Sequence, residues 1–195
     1  MKIIDISQEV LSCEVYAGDP APKAEKISNM DCGDLYNLSQ FSMCAHNGTH
    51  VDAPLHFIKD GKAIDEISLD NFIGYCYVAR FDGNLDDNDA LKIIEKAKKV
   101  NANDRILIAG DATVTETAAE VFASAKVKLL GNEGQTVGPK DSPMNVHQLL
   151  LEADVVLLEG IVLSNVLEGK YFLSAAPLNI KGFDGSPCRA YLIEE

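Results

Sequence analysis

Apolar positions along this chain fall into short runs separated by turn-forming residues, and the spacing within the runs changes from end to middle. Ile3 to Ile6 is a brief apolar stretch that predicts a strand. Residues 17–33 contain Gly18, Pro20, Pro22 and Gly33 and read as a long loop. Residues 37–45 alternate loosely through Leu38, Phe41, Met43 and Ala45, which predicts a strand, and Gly74 to Phe81, rich in Tyr and Val, predicts another. The period then lengthens. Asp86-Asp87-Asn88 offers an N-cap for a helix running to about Val100, with Leu91, Ile94 and Ala97 on one face. Lys96, Lys98 and Lys99 crowd its last turn, where the helix dipole favours cations. Arg105 to Ala109 reads as a buried strand. Thr115 can cap a helix over 116–125, with Ala118, Val121, Phe122 and Ala125 inward. Val127 to Leu130 is again strand, Asn145 to Glu152 a short helix, and Asp154 to Leu158 a strand. Strand and helix alternate through the middle while both ends are strand-rich, so the expected class is α/β, a mixed sheet with packed helices.

A chain of 195 residues predicts one domain spanning 1–195, long enough to bury a sizeable core. The formal charge of -13 sets nucleic acid aside as a partner, because phosphate binding needs clustered Lys and Arg. The chain has no apolar run of about 18 residues, so no membrane partner is expected. The opening Met1-Lys2-Ile3-Ile4-Asp5 enters a strand pattern at once, without the apolar core of a signal peptide, and a cytoplasmic protein is the expectation. The cysteines (Cys13, Cys32, Cys44, Cys76 and Cys188) form no C-x-x-C pair and read as buried, reduced thiols. Cys44 stands out by lying two residues before a histidine.

The chemistry is concentrated in His46-Asn47-Gly48-Thr49-His50-Val51-Asp52-Ala53-Pro54-Leu55-His56, which holds three of the four histidines; the fourth, His147, precedes Glu159 by twelve residues. Imidazole is the commonest side-chain metal ligand. On a straight strand His46 and His50 would stand about 13 Å apart at about 3.3 Å per residue, too far to share an ion. Gly48, Thr49 and Val51 are poor helix formers, and Pro54 disfavours helical dihedrals at Ala53. A bend at Gly48 is the remaining way to fold His46 back towards His50. His50 and Asp52, two apart in extended chain, then point to one side. Asp52 has two oxygens and can bridge a second ion, for which His147 and Glu159 supply further donors. Three His, one Asp and one Glu suit two divalent ions, zinc first and manganese second. Such a pair would generate a hydroxide nucleophile near neutral pH. His56, beyond Pro54, is left outside this set and is the candidate acid/base.

The pattern His-x-Gly-Thr-His-x-Asp-x-Pro-x-His, met in full at residues 46–56, resembles the signature of the cyclase-like metal-dependent hydrolase family, which includes bacterial kynurenine formamidases and isatin hydrolases. The likeness extends through Asp5-Ile6-Ser7, Gly18-Asp19-Pro20, residues 68–74, residues 157–160 and Ala176-Pro177-Leu178. The resemblance implies a swivelling β/β/α fold and one ion on His46, His50 and Asp52. It implies a second ion on Asp52, His147 and Glu159, with His56 as acid/base. Tyr16 falls where formamidases of the family place a substrate-stacking Trp, which makes it the candidate substrate-binding residue; the chain itself contains no Trp. The implied activity is hydrolysis of a small amide C–N bond, such as that of N-formylkynurenine in tryptophan catabolism. Opening of a cyclic amide, imide or lactone is the alternative within the family. A metal-binding protein without turnover is the alternative outside it. The implied assembly is a homodimer or larger homo-oligomer. Residues 16–36 and 131–136 are expected to set the substrate; Glu133 and Gln135 read first as ordinary loop residues, with reach into the pocket as the alternative.

Overall fold

A computed structural model describes residues 1–194. In chain order the strands are β1 (Lys2–Asp5), β2 (Lys23–Ser28), β3 (Leu38–Ser42), β4 (His50–Asp52), β5 (Ile73–Arg80) and β6 (Gly83–Leu85). They continue as β7 (Arg105–Ala109), β8 (Ala112–Val114), β9 (Leu129–Asn132), β10 (Val156–Glu159), β11 (Gly169–Ser174), β12 (Gly185–Pro187) and β13 (Tyr191–Glu194). The α-helices are α1 (Asp87–Lys99), α2 (Glu116–Ser124) and α3 (Met144–Glu152). Nine strands form one mixed sheet in the order β1-β13-β11-β5-β7-β9-β10-β4-β12. Its centre, β5-β7-β9-β10, is parallel, and both flanks are antiparallel. This is the expected mixed α/β architecture.

The central strands are largely apolar away from their ends because both of their faces are covered, as in parallel sheets generally. Ile106, Ile108, Leu130 and Leu157 point into the core beneath α1, α2 and α3. Their neighbours Leu107, Ala109, Leu129 and Leu158 point into a second core with Ile6, Val51, Phe72 and Leu192. The helix caps match expectation: the side chains of Asp86 and Thr115 accept from Asp89 N and Ala118 N.

Some elements differ from the sequence reading. The buried face of α1 is Ala90, Ile93, Ile94 and Ala97, whereas Leu91 is half exposed. A three-residue count places Leu91 on the inner face, but the true period of 3.6 rotates it outward. The stretch 17–33 is not all loop. It contains β2, which pairs with β3 as a separate antiparallel hairpin. The strand Lys-Ala-Glu-Lys-Ile-Ser buries neither face, so no period-2 signal marks it. Strands β9 and β10 start two residues later than the apolar pattern suggests. Cys32 is exposed and Cys13, Cys44 and Cys188 are half-buried, so only Cys76 is fully buried as expected; all five are free thiols.

Candidate metal centre

The site forms where β4 crosses the carboxyl end of β10. In the β4–β10 ladder His50 stands opposite Glu159, and Asp52 opposite Leu157. Gly48 takes φ +67°, the left-handed conformation that bends the chain just before β4. This bend brings the His46 ring to 5.2 Å from that of His50, edge to face. His147 enters from α3, which leads into β10, and its Nε2 lies 3.2 Å from Glu159 Oε1 and 3.7 Å from Asp52 Oδ2. Five side chains drawn from three distant parts of the chain therefore converge. All but His46 are almost wholly buried.

Backbone carbonyls orient two of the imidazoles. His50 Nδ1 lies 3.0 Å from Gly48 O, and His147 Nδ1 lies 2.9 Å from Pro143 O. A carbonyl oxygen only accepts, so both Nδ1 atoms carry hydrogen and each ring directs its Nε2 inward. His50 Nε2 is 3.3 Å from Asp52 Oδ1 and 3.5 Å from Glu159 Oε2, so it faces both carboxylates. His46 Nδ1 is 2.8 Å from Asp52 Oδ1. Val137 N donates to Glu159 Oε1 at 2.8 Å and fixes that carboxylate.

The electrostatics favour positive charge at the centre. Burial opposes the imidazolium form of His50, but Asp52 and Glu159 overcome it and raise its pKa well above the ordinary histidine value. Burial also opposes ionisation of Asp52, yet His46 and His50 hold its carboxyl well below the usual range. Burial opposes charge on His147 as well, and Glu159 raises its pKa nonetheless.

The donor set fits a bound cation by an independent criterion. Asp52 Oδ2 is fully buried and has no hydrogen-bond partner. An unpaired buried carboxylate oxygen is costly, and a metal ion satisfies it. Donor atoms of His50, Asp52 and Glu159 lie within 4.8 Å of one another, as do those of His46, Asp52 and His56. Asp52 belongs to both groups, as a bridging carboxylate would.

His56 lies on the short turn after β4, its ring stacked on that of His46 at 4.0 Å. Burial holds its pKa below the ordinary histidine value, with Asp52 opposing the shift. Tyr16 and Gln135 line a cavity of about 250 Å³ together with the four histidines, Cys44 and Phe57. An adjoining depression of about 650 Å³ shares Tyr16, Gln135 and Thr136. Glu133 has a loop role, the reading preferred for it. Its two carboxylate oxygens accept from Gly110 N at 2.7 Å and Leu163 N at 2.6 Å, so it braces two loops. Two residues at the site escaped the sequence reading. Asp184 Oδ2 lies 2.9 Å from His46 Nε2 and 3.2 Å from His56 Nδ1. Gly185 packs so tightly on His46 that a Cβ there would lie 2.6 Å from the ring. The only local signal was an Asp-Gly pair, which reads as a turn.

Comparison with known proteins gives concordant matches. Residues 4–139 match the Cyclase family. The kynurenine formamidase of Erythrobacter litoralis (strain HTCC2594) is 34% identical over 203 aligned residues, covering 99% of this chain and 94% of that protein. A solved structure described as a "potential metal-dependent hydrolase with cyclase activity" superposes with a TM-score of 0.81 at 25% identity, covering 100% of this chain and 99% of the other. Isatin hydrolase A from Labrenzia aggregata shares the fold, with a TM-score of 0.82 at 22% identity over 98% of this chain and 93% of its own.

Proposed function

The chain belongs to the Cyclase family, and from that premise we propose that it is a metal-dependent hydrolase cleaving the C–N bond of a small amide, with an aryl formamide as the leading substrate. The observation that carries this reading is the orphaned Asp52 Oδ2, buried between imidazoles and a second carboxylate and beside His56. His46, His50 and Asp52 would hold one divalent ion, and Asp52, His147 and Glu159 a second. Zinc is the first choice and manganese the second for this mix of nitrogen and oxygen donors. Bound there, the ions would supply Lewis-acid polarisation of a carbonyl oxygen and acidification of water.

The rest of the chemistry belongs to the chain. His56, kept neutral by burial, accepts a proton and returns it to the departing nitrogen. Tyr16 and Phe57 offer aromatic surface to a flat substrate in the cavity. A cage built only to bind metal has no use for His56, which favours turnover over storage. The similarity to a kynurenine formamidase supports a formamide over a cyclic amide.

The proposed assembly is a homodimer or larger homo-oligomer. The β2–β3 hairpin and its flanks expose Ile27, Met30, Leu35, Tyr36, Leu38 and Phe41, an apolar surface of the kind that marks interfaces. Lys23, Lys26, Glu25, Asp31 and Asp34 mix both charge signs around it, so a second copy can meet it without net repulsion. No helix among the described residues is long and apolar enough to cross a membrane. The cytoplasm is the proposed location, in keeping with five unpaired thiols.

The test is hydrolysis of aryl formamides, lactams and cyclic imides by protein stripped with chelator and reloaded with zinc or manganese separately. Formamide turnover that is lost on stripping and regained on reloading is the expected result. Lactam turnover alone would reassign the substrate, and metal binding without any turnover would make the protein a binder.

A further inference from the structure

Asp184 is placed by the sheet rather than by its neighbours in sequence. Strand β12 pairs with β4, setting Gly185 opposite Asp52. Ala53 N donates to Asp184 O at 2.9 Å, Ile64 N donates to Phe183 O at 2.8 Å, and Gly182 N donates to Asp65 Oδ1 at 2.8 Å. The segment 182–184 is thereby tied to the chain on both sides of His56. The Asp184 carboxylate meets two imidazoles through one oxygen, Oδ2: His46 Nε2 at 2.9 Å and His56 Nδ1 at 3.2 Å.

An ionised carboxylate only accepts hydrogen bonds, so the nitrogens facing it carry hydrogen. For His46 both ring nitrogens meet carboxylates, Nδ1 that of Asp52 and Nε2 that of Asp184, so Nδ1, on the Asp52 side, is the one that would give up its hydrogen to an ion there. For His56 the same rule places the hydrogen on Nδ1 and the lone pair on Nε2. The stacking of the two rings at 4.0 Å and 25° holds them in register above the shared oxygen.

We propose that Asp184 is the positioning residue of the reaction: its Oδ2 fixes His56 as the Nδ1–H tautomer, with Nε2 as the proton-accepting atom, and locks His46 to the same carboxylate. The inference rests on the reading of His56 as acid/base. Chemically it follows the general logic of a base oriented by a third group, and of a carboxylate hydrogen-bonded to the outer nitrogen of a metal-binding histidine.

The experiment compares wild type, Asp184→Asn and Asp184→Glu as full chains. Asp184 is half exposed, and circular dichroism checks that each variant is folded. Nitrogen-15 spectra of the imidazoles in metal-free protein, assigned with His56→Asn, report the tautomer without any turnover. The expected result is an Nδ1–H His56 in wild type and its loss in Asp184→Asn, with Asp184→Glu closer to wild type. At saturating zinc, Asp184→Asn should lower kcat roughly 10- to 100-fold while KM stays within about threefold. An Nε2–H His56 in wild type overturns the proposal. So does an unchanged tautomer in Asp184→Asn, or a kcat that saturating zinc restores in full, since the effect would then pass through His46 alone. Absence of amide hydrolysis by wild type with either ion would remove the functional reading, and the tautomer measurement would still decide the role of Asp184.

Discussion

Thr49 Oγ1 donates a 2.6 Å hydrogen bond to Gly160 O across 111 positions of sequence, and accepts one from Gln8 N at 2.9 Å. The bond ties the turn that carries His46 to the residue following Glu159. One hydroxyl thus joins the two halves of the centre.

Thr49→Val keeps the shape and removes the hydroxyl. Gly160 O retains a donor in Gln8 Nε2 at 2.8 Å, but Gln8 N loses its acceptor. Denaturant titration should show a stability loss of about 1–3 kcal/mol, the usual cost of leaving a buried polar group unpaired. An unchanged midpoint would mean that the clamp contributes nothing.

Asp52→Asn removes the carboxylate shared by both donor groups. Elemental analysis should find less than one ion per variant chain after reloading. A ligand present at 100 times its Kd stabilises by about 2.7 kcal/mol, so wild type should melt at lower temperature after chelation and the variant should not respond. A variant that still gains stability from zinc would show that the ion sits elsewhere.

Gly185→Ala would place a Cβ 2.6 Å from His46 Cε1 and 2.8 Å from Val51 O. Both the ring and the β4 backbone would have to shift. Overpacking of this kind costs about 1–3 kcal/mol, and the displaced His46 should weaken zinc binding, measured by competition with a chromogenic chelator. Zinc affinity equal to wild type would count against His46 as a ligand.

The thiols should separate by reactivity at pH 8. Burial pushes Cys76 and Cys188 up to about 12, and only the thiolate is nucleophilic. Because the pKa is raised, the reactive form grows as pH rises and is scarce at pH 8. Iodoacetamide on the native protein should modify exposed Cys32 first and leave Cys76 and Cys188 intact, as read by peptide mass mapping. Rapid modification of Cys76 would contradict its burial.

Much of the fold was legible because its central elements repeat with a clean period. Ile106–Ala109 is apolar at every position since both faces are covered, and α2 announces itself with Thr115 and an inward Phe122. Strand β2 was illegible because it buries neither face. The partners of Glu133 were illegible for a related reason: a sequence does not show which distant backbone amides a loop carboxylate binds.

The types of donor, their spacing across residues 46–56 and the need for a bend at Gly48 were determined by the sequence alone, because they depend on neighbours a few bonds apart. Which carboxylate backs His56, and how His147 meets Asp52, only the tertiary structure decided. Those contacts depend on the pairing of β4 with β10 and β12, and that register is set by burial of the whole sheet rather than by any local pattern.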